Sequence, residues 1–176
     1  MTTRWLDSDE QAAWVRLAAV VELLPGVLEA QLRRDADLTH FEYWVLAMLS
    51  EAPEHTLRMT ALAARTNAAL PRLSHVVARL EERGHVERVP CPGDRRATNA
   101  RLTDAGWSKL VATAPGPVET VRQFVVDALT PAQLSQLTAI SEAILARVDP
   151  DAALTAGVDE ATTRPRPARS GAVRAR

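Results

Sequence analysis

The 176-residue sequence predicts a mainly α fold of six helices carrying one β-hairpin, and three observations predict it. Apolar residues recur at spacings of three and four over most of the chain, the period of a helix with one buried face. Only residues 85–102 depart from that period, with two short alternating runs around a turn rich in Pro, Gly and Asp. Capping residues stand at the expected helix starts, and Gly or Pro at the expected stops.

The elements follow in order. Ser8-Asp9-Glu10-Gln11 has the form of a capping box with Ser8 as N-cap, and Trp14, Leu17, Ala18, Val21, Leu24 and Leu28 share one face behind it. This first helix covers residues 8–35, with a bend expected at Pro25-Gly26. Thr39 caps a second helix whose stripe is Phe41, Trp44, Val45, Met48 and Leu49, ended by Pro53 and Glu54-His55. A short third helix, residues 60–65, has Thr60 as cap and Leu62 as anchor, and residues 67–69 turn the chain. The fourth helix, residues 70–83, turns Leu73, Val76, Val77 and Leu80 inward and stops at Gly84, where a left-handed cap is wanted. Residues 85–89 and 97–102 read as strands, and 90–96 as their turn. Thr103-Asp104 cap a fifth helix carrying Trp107, Leu110 and Val111, interrupted at Pro115-Gly116-Pro117 and resuming from Val118. Thr130-Pro131-Ala132-Gln133 opens a sixth helix with Leu134, Leu137, Ile140, Ile144 and Val148. Residues 149–176 have no periodicity and five arginines, the composition of a disordered tail.

Composition narrows the function. No unbroken run of about 18 apolar residues exists, and the N-terminus lacks the order of a signal peptide, so a cytoplasmic protein without a membrane partner is expected. Cys91 is the single cysteine, and the four histidines have no ligand-like spacing, so no metal site is expected. No nucleophile–base pair and no Gly-rich phosphate loop appears; the chain reads as a non-enzyme without a cofactor. Net charge is −1, yet between Arg65 and Lys109 nine Lys/Arg stand against five Asp/Glu. A basic segment in an otherwise acidic chain is an electrostatic footprint for nucleic acid.

Helix, short helix, turn, helix, hairpin is the order of a winged helix-turn-helix, whose second motif helix is shaped for the DNA major groove. On the fourth helix Arg72, Ser74, His75 and Arg79 are expected to point away from the core, with Leu70 and Pro71 at its start. Arg95 and Arg96 sit on the hairpin tip, where an arginine reaches a narrow minor groove. For each of these the plainer alternative is a solvated surface side chain.

The run Arg72-Leu73-Ser74-His75-Val76-Val77-Ala78-Arg79-Leu80-Glu81-Glu82-Arg83-Gly84-His85-Val86-Glu87-Arg88 resembles the recognition helix and first wing strand of the MarR family. Asp94-Arg95-Arg96-Ala97, followed by Leu102-Thr103-Asp104-Ala105-Gly106, is similar to that family's wing signature. Leu38-Thr39-His40-Phe41-Glu42-Tyr43-Trp44 and Met59-Thr60-Ala61-Leu62-Ala63 match in type and order, so the resemblance covers residues 8–148. It implies a sequence-specific, double-stranded-DNA-binding transcriptional regulator, a repressor acting as a homodimer on a pseudo-palindromic operator. Residues 8–37 and 104–148 would be the dimerisation helices, and 39–103 the DNA-binding lobe with its wing at 85–102. Arg96 would be the minor-groove arginine, and Asp94 would orient it or support the wing backbone. Ala69-Leu70-Pro71 departs from the small polar residue usual at the start of the recognition helix, so base preference does not transfer.

Many members of that family bind an aromatic effector between the dimer helices and the DNA-binding lobes. Trp14, Tyr43 and Trp44 are the candidates for such a pocket; core packing is the alternative, favoured for Trp44, which lies on the stripe of Phe41 and Val45. The rival function from another class is a winged-helix module that binds a protein and no DNA.

Overall fold

The computed structural model describes residues 2–155, with the side chain of Arg95 excepted. Most of the expected disordered tail, residues 156–176, lies outside the described residues. The elements are α1 (Ser8–Ala36), α2 (His40–Glu51), a 3-10 turn (Pro53–His55), β1 (Thr56–Arg58), α3 (Met59–Arg65), α4 (Leu70–Glu82), β2 (Val86–Cys91), β3 (Asp94–Leu102), α5 (Asp104–Thr113), α6 (Pro115–Val121), a π-helical turn (Arg122–Val126) and α7 (Pro131–Val148). This is the mainly α winged helix-turn-helix that the pattern predicts.

The core belongs to the middle of the chain. Val45, Leu46 and Leu49 of α2, Leu62 of α3, and Leu73, Val77 and Leu80 of α4 are fully buried, closed over by Val86 and Ala100 of the hairpin. Burying one such side chain contributes roughly 1.5–3 kcal/mol, so this cluster holds α3 and α4 in their crossing. A Schellman motif ends α4: Gly84 has φ 72°, its N–H donates to Glu81 O at 2.9 Å, and His85 N–H donates to Leu80 O at 2.9 Å.

Several boundaries differ from the sequence pattern. Asp7, not Ser8, caps α1, in a capping box with Glu10; an ionised carboxylate satisfies two helix N–H groups here, Asp9 and Glu10. The helix continues through Pro25, at the loss of one hydrogen bond. Thr60 is not a cap, because α3 already starts at Met59 without a side-chain cap. A strand absent from the sequence reading, β1, adds to the hairpin, giving the sheet order β1-β3-β2, all antiparallel. The hairpin is longer than expected. Cys91 pairs with Asp94 around Pro92-Gly93, Gly93 has φ 82° as a type II turn requires, and a bulge at Pro90/Cys91 absorbs the register change. The prolines after α5 do not break the chain into a loop: Pro115 opens α6 directly, and the π-helical turn follows it.

The terminal helices pack little of themselves. Only Gln31, Leu32 and Ala36 of α1 are buried, and no residue of α7 is. Trp14, Val21 (63% exposed), Leu23, Val111, Phe124, Ile140 (57%) and Val148 present apolar surface to solvent. By length and composition α1 is apolar enough to cross a membrane, its best 18-residue window having a mean hydropathy of 1.4. Arg16 and Glu22 interrupt that stretch, so it is not an unbroken apolar run.

Gly106 lies where α5 starts against the end of α4. A Cβ there would stand 2.0 Å from the His85 carbonyl oxygen, which already accepts the Thr103 N–H at 3.1 Å. Gly106→Ala is therefore expected to destabilise the fold by about 2 kcal/mol or more, as overpacking against backbone does; urea denaturation measures it.

Candidate nucleic-acid interface

The site is built on α4 and the hairpin tip. With Leu73, Val76, Val77 and Leu80 committed to the core, the exposed positions of α4 include Leu70, Pro71, Arg72 and His75, while Ser74 is half-buried. The hairpin brings exposed Arg96 round to the same side. Arg96, Arg58, Arg88, Leu70 and Ser74 line one open cleft of about 300 Å³.

The arginines here are in different states. Arg72 lies over the ring of Phe41, 4.5 Å from its centroid, a cation–π contact that orients the guanidinium without consuming its donors. Arg88 ties wing to helix: it donates to Glu81 Oε2 at 3.2 Å and to the Ser74 carbonyl and hydroxyl at 2.7 and 3.3 Å. Arg79, expected on the outward face, is bonded instead to Glu42 of α2. Among the described residues the side chain of Arg96 makes no hydrogen bond or ion pair; its backbone N–H donates to Asp94 Oδ1 at 3.1 Å. The other oxygen of Asp94 accepts Arg58 from β1 at 2.5 Å. Asp94 thus supports the wing backbone and leaves the Arg96 side chain unpaired. His75 has no recorded side-chain partner, and Arg95 is described by its backbone in β3 only.

The sequence reading missed three residues, Arg58, Arg88 and Glu42. Arg58 sits on the unforeseen strand and pairs across the sheet with Asn99. Glu42 had a legible signal, as the third helical residue after Thr39: its Oε2 accepts the Thr39 N–H at 2.7 Å while Thr39 Oγ1 accepts the Glu42 N–H at 3.0 Å. The three effector candidates divide. Trp14 stands 58% exposed on α1, while Tyr43 and Trp44 are partly buried against the core. The Trp44 indole N–H donates to Arg65 O at 3.4 Å, and burial raises the Tyr43 hydroxyl pKa.

Crossed helices, a three-stranded sheet and a braced hairpin define the winged helix-turn-helix class. Residues 36–97 match the MarR family. The fold superposes on Sco3205, a MarR family transcriptional regulator from Streptomyces coelicolor whose structure is a complex with DNA. That match has 43% identity and a TM-score of 0.80, covering 84% of this chain and 92% of that one. AbsC, a MarR family transcriptional regulator from the same organism, matches at 36% identity and TM-score 0.77, over 83% of this chain and 98% of that one. YdcH, an HTH-type transcriptional regulator of Bacillus subtilis (strain 168), is 32% identical over 81 residues, which are 45% of this chain and 55% of that protein. The chain belongs to the MarR family of transcriptional regulators, and is a regulator rather than an enzyme.

Glu42 is 1% exposed. Burial pushes its pKa up, but the Thr39 N–H, the Arg79 and Thr39 side-chain hydrogen bonds and the Arg79 charge outweigh it and hold the carboxyl below the usual range. A carboxylate lowered on folding stabilises above its unfolded pKa and loses that contribution as pH falls through the lowered value. Urea denaturation from about pH 6 to about pH 3 is expected to show a steeper loss of stability for the wild type than for Glu42→Gln.

Proposed function

We propose that the protein is a homodimeric repressor that binds double-stranded DNA, reading a pseudo-palindromic operator with α4 in the major groove and Arg96 in the minor groove. The observation that carries this is that Leu70 and Ser74 of α4 and Arg96 of the wing line one open cleft. That a relative 43% identical was solved in complex with DNA supports a DNA partner for this chain. Arg72, Ser74 and His75 supply donors to base edges and phosphates, Leu70 and Pro71 supply apolar contact, and Arg95 adds charge at the tip. Asp94 acts indirectly, by holding the wing backbone.

The apolar surface of α1, α5 and α7 supports dimerisation, with residues 8–37 and 104–148 as the dimer-forming part and 39–103 as the DNA-binding lobe. A bilayer is the less favourable host for α1. Its middle carries Arg16 and Glu22, charges that cost roughly 2.5–3.5 kcal/mol each near a bilayer centre. Two copies paired this way set two recognition helices about 34 Å apart, one helical turn of DNA. A ligand that favours another spacing would release the operator.

Selection from random duplexes at about 100–150 mM salt is expected to enrich an inverted repeat with half-sites about one turn apart. Absence of enrichment together with absence of salt-sensitive binding would turn the fold's role toward a protein partner. On the selected operator, Arg96→Ala is expected to weaken binding about tenfold and to lower the log–log salt slope by about one; unchanged affinity would remove the wing from the interface. Sedimentation equilibrium is expected to report a dimer, and Val21→Asp with Ile140→Asp a folded monomer, since both side chains are exposed within one chain.

A further inference from the structure

The carboxylate of Glu42 is the most deeply buried charge described, and the groups around it come from three elements. Arg79 of α4 donates to its Oε1, and Arg83, one turn further along α4, approaches the same oxygen at 4.0 Å. Arg83 also donates to the Asp37 carbonyl at 2.7 Å and to its carboxylate at 3.1 Å. Asp37 is the left-handed residue (φ 50°) at which α1 ends, and Thr39, bonded to the other Glu42 oxygen, is where α2 begins. On the far side of the link, Glu29 of α1 accepts the His40 N–H at 2.5 Å. The last two turns of α4 are therefore fastened to the elbow between α1 and α2.

A second contact lies two turns away. Arg72 and Arg79 are seven residues apart, so they share one face of α4, and they meet adjacent residues of α2, Phe41 and Glu42. Apolar packing alone leaves a helix some freedom to roll and slide, because side chains of similar size exchange places at small cost. Two directional contacts a helical turn or more apart remove both freedoms. Base reading needs that restraint, since bidentate contacts lose their geometry on small displacements.

We infer that Glu42 is a positioning residue for DNA recognition, acting through Arg79 and Arg83, and that Arg79 is held for this purpose and not as a DNA ligand. The inference rests on the proposed entry of α4 into the major groove. An uncompensated buried carboxylate is costly, so the clasp stays closed when DNA arrives.

The test is a double-mutant cycle with wild type, Glu42→Gln, Arg79→Gln and the double variant. Each is titrated against salt on the selected operator and on an unrelated duplex. Glu42→Gln keeps an oxygen for the Thr39 cap and loses the charge. Each single variant is expected to lose about tenfold in operator affinity, and the double variant no more than the weaker single, because the two act as one unit. Binding to the unrelated duplex and its salt slope are expected to stay the same, which a general loss of folded protein would not allow. Arg79→Lys, which keeps a donor and the charge, is expected to recover part of the operator affinity. An Arg79→Gln slope lower by about one on both duplexes, with a loss that adds to that of Glu42→Gln, would make Arg79 a phosphate ligand and overturn the inference. Unchanged operator affinity in Glu42→Gln would overturn it as well. Should Glu42→Gln not fold, the Arg79→Gln slope on the two duplexes decides alone, that side chain being partly exposed. A wild type that prefers no duplex fails the DNA reading and this inference with it, whereas a selective wild type with unaltered variants fails the clasp only.

Discussion

Burial of one stripe on α4 is the constraint on which the rest depends. Leu73, Val76, Val77 and Leu80 enter the core beside Leu46, Leu49 and Leu62. The helix has 3.6 residues per turn, so committing those four leaves Pro71, His75 and Glu82 exposed on the opposite side. The polar face is selected by what the apolar face must do. No side chain on the exposed face needs to be good at folding, and that leaves its identity free to be set by a ligand.

Charge is distributed by the same logic. Part of the basic segment that stands out in the sequence is neutralised within the fold: Arg79 by Glu42, Arg83 by Asp37, Arg88 by Glu81 and Arg101 by Glu87, while Arg58, upstream of it, pairs with Asp94. Apart from the buried Glu42, these are exposed pairs, which contribute little to stability, usually below about 1 kcal/mol. Their effect is positional. They fix the wing against α4 and α4 against α2, and they leave Arg72 and Arg96 with unspent donors. A count of arginines therefore overstates the electrostatic footprint.

Most of the fold was legible because its determinants are local. Thr39, Gly84 and the Thr130–Gln133 start each announce a boundary through a backbone requirement that only certain side chains meet. The misses have physical causes. At Asp7 two potential caps adjoin, and the carboxylate outcompetes the Ser8 hydroxyl for the N–H groups of Asp9 and Glu10. β1 is three residues long, too short to show alternation, and it exists only because β3 offers it a free edge. Placing Arg58 beside Asp94 depended on that strand, and no sequence interval foretells a contact across 36 residues. For Arg79, helical periodicity gives the direction of the side chain but not its reach: the guanidinium bonds Glu42 on the neighbouring helix while staying partly exposed.

The exposed apolar surface of the terminal helices completes the argument about shape. One chain leaves Trp14, Val21, Phe124 and Ile140 in water, and exposed apolar surface on this scale marks an interaction site. In the proposed dimer a second copy would cover it by symmetry, because a two-fold axis brings like surface to like surface. That same axis must then relate the two α4 helices, and an operator with two-fold sequence symmetry is its reflection in DNA. The elbow at residues 37–39 is where the two requirements meet. In the proposed dimer the partner subunit would orient the chain on the α1 side of this elbow and the duplex on its α4 side, and the contacts of Glu42 with Arg79 and Arg83 join the two sides.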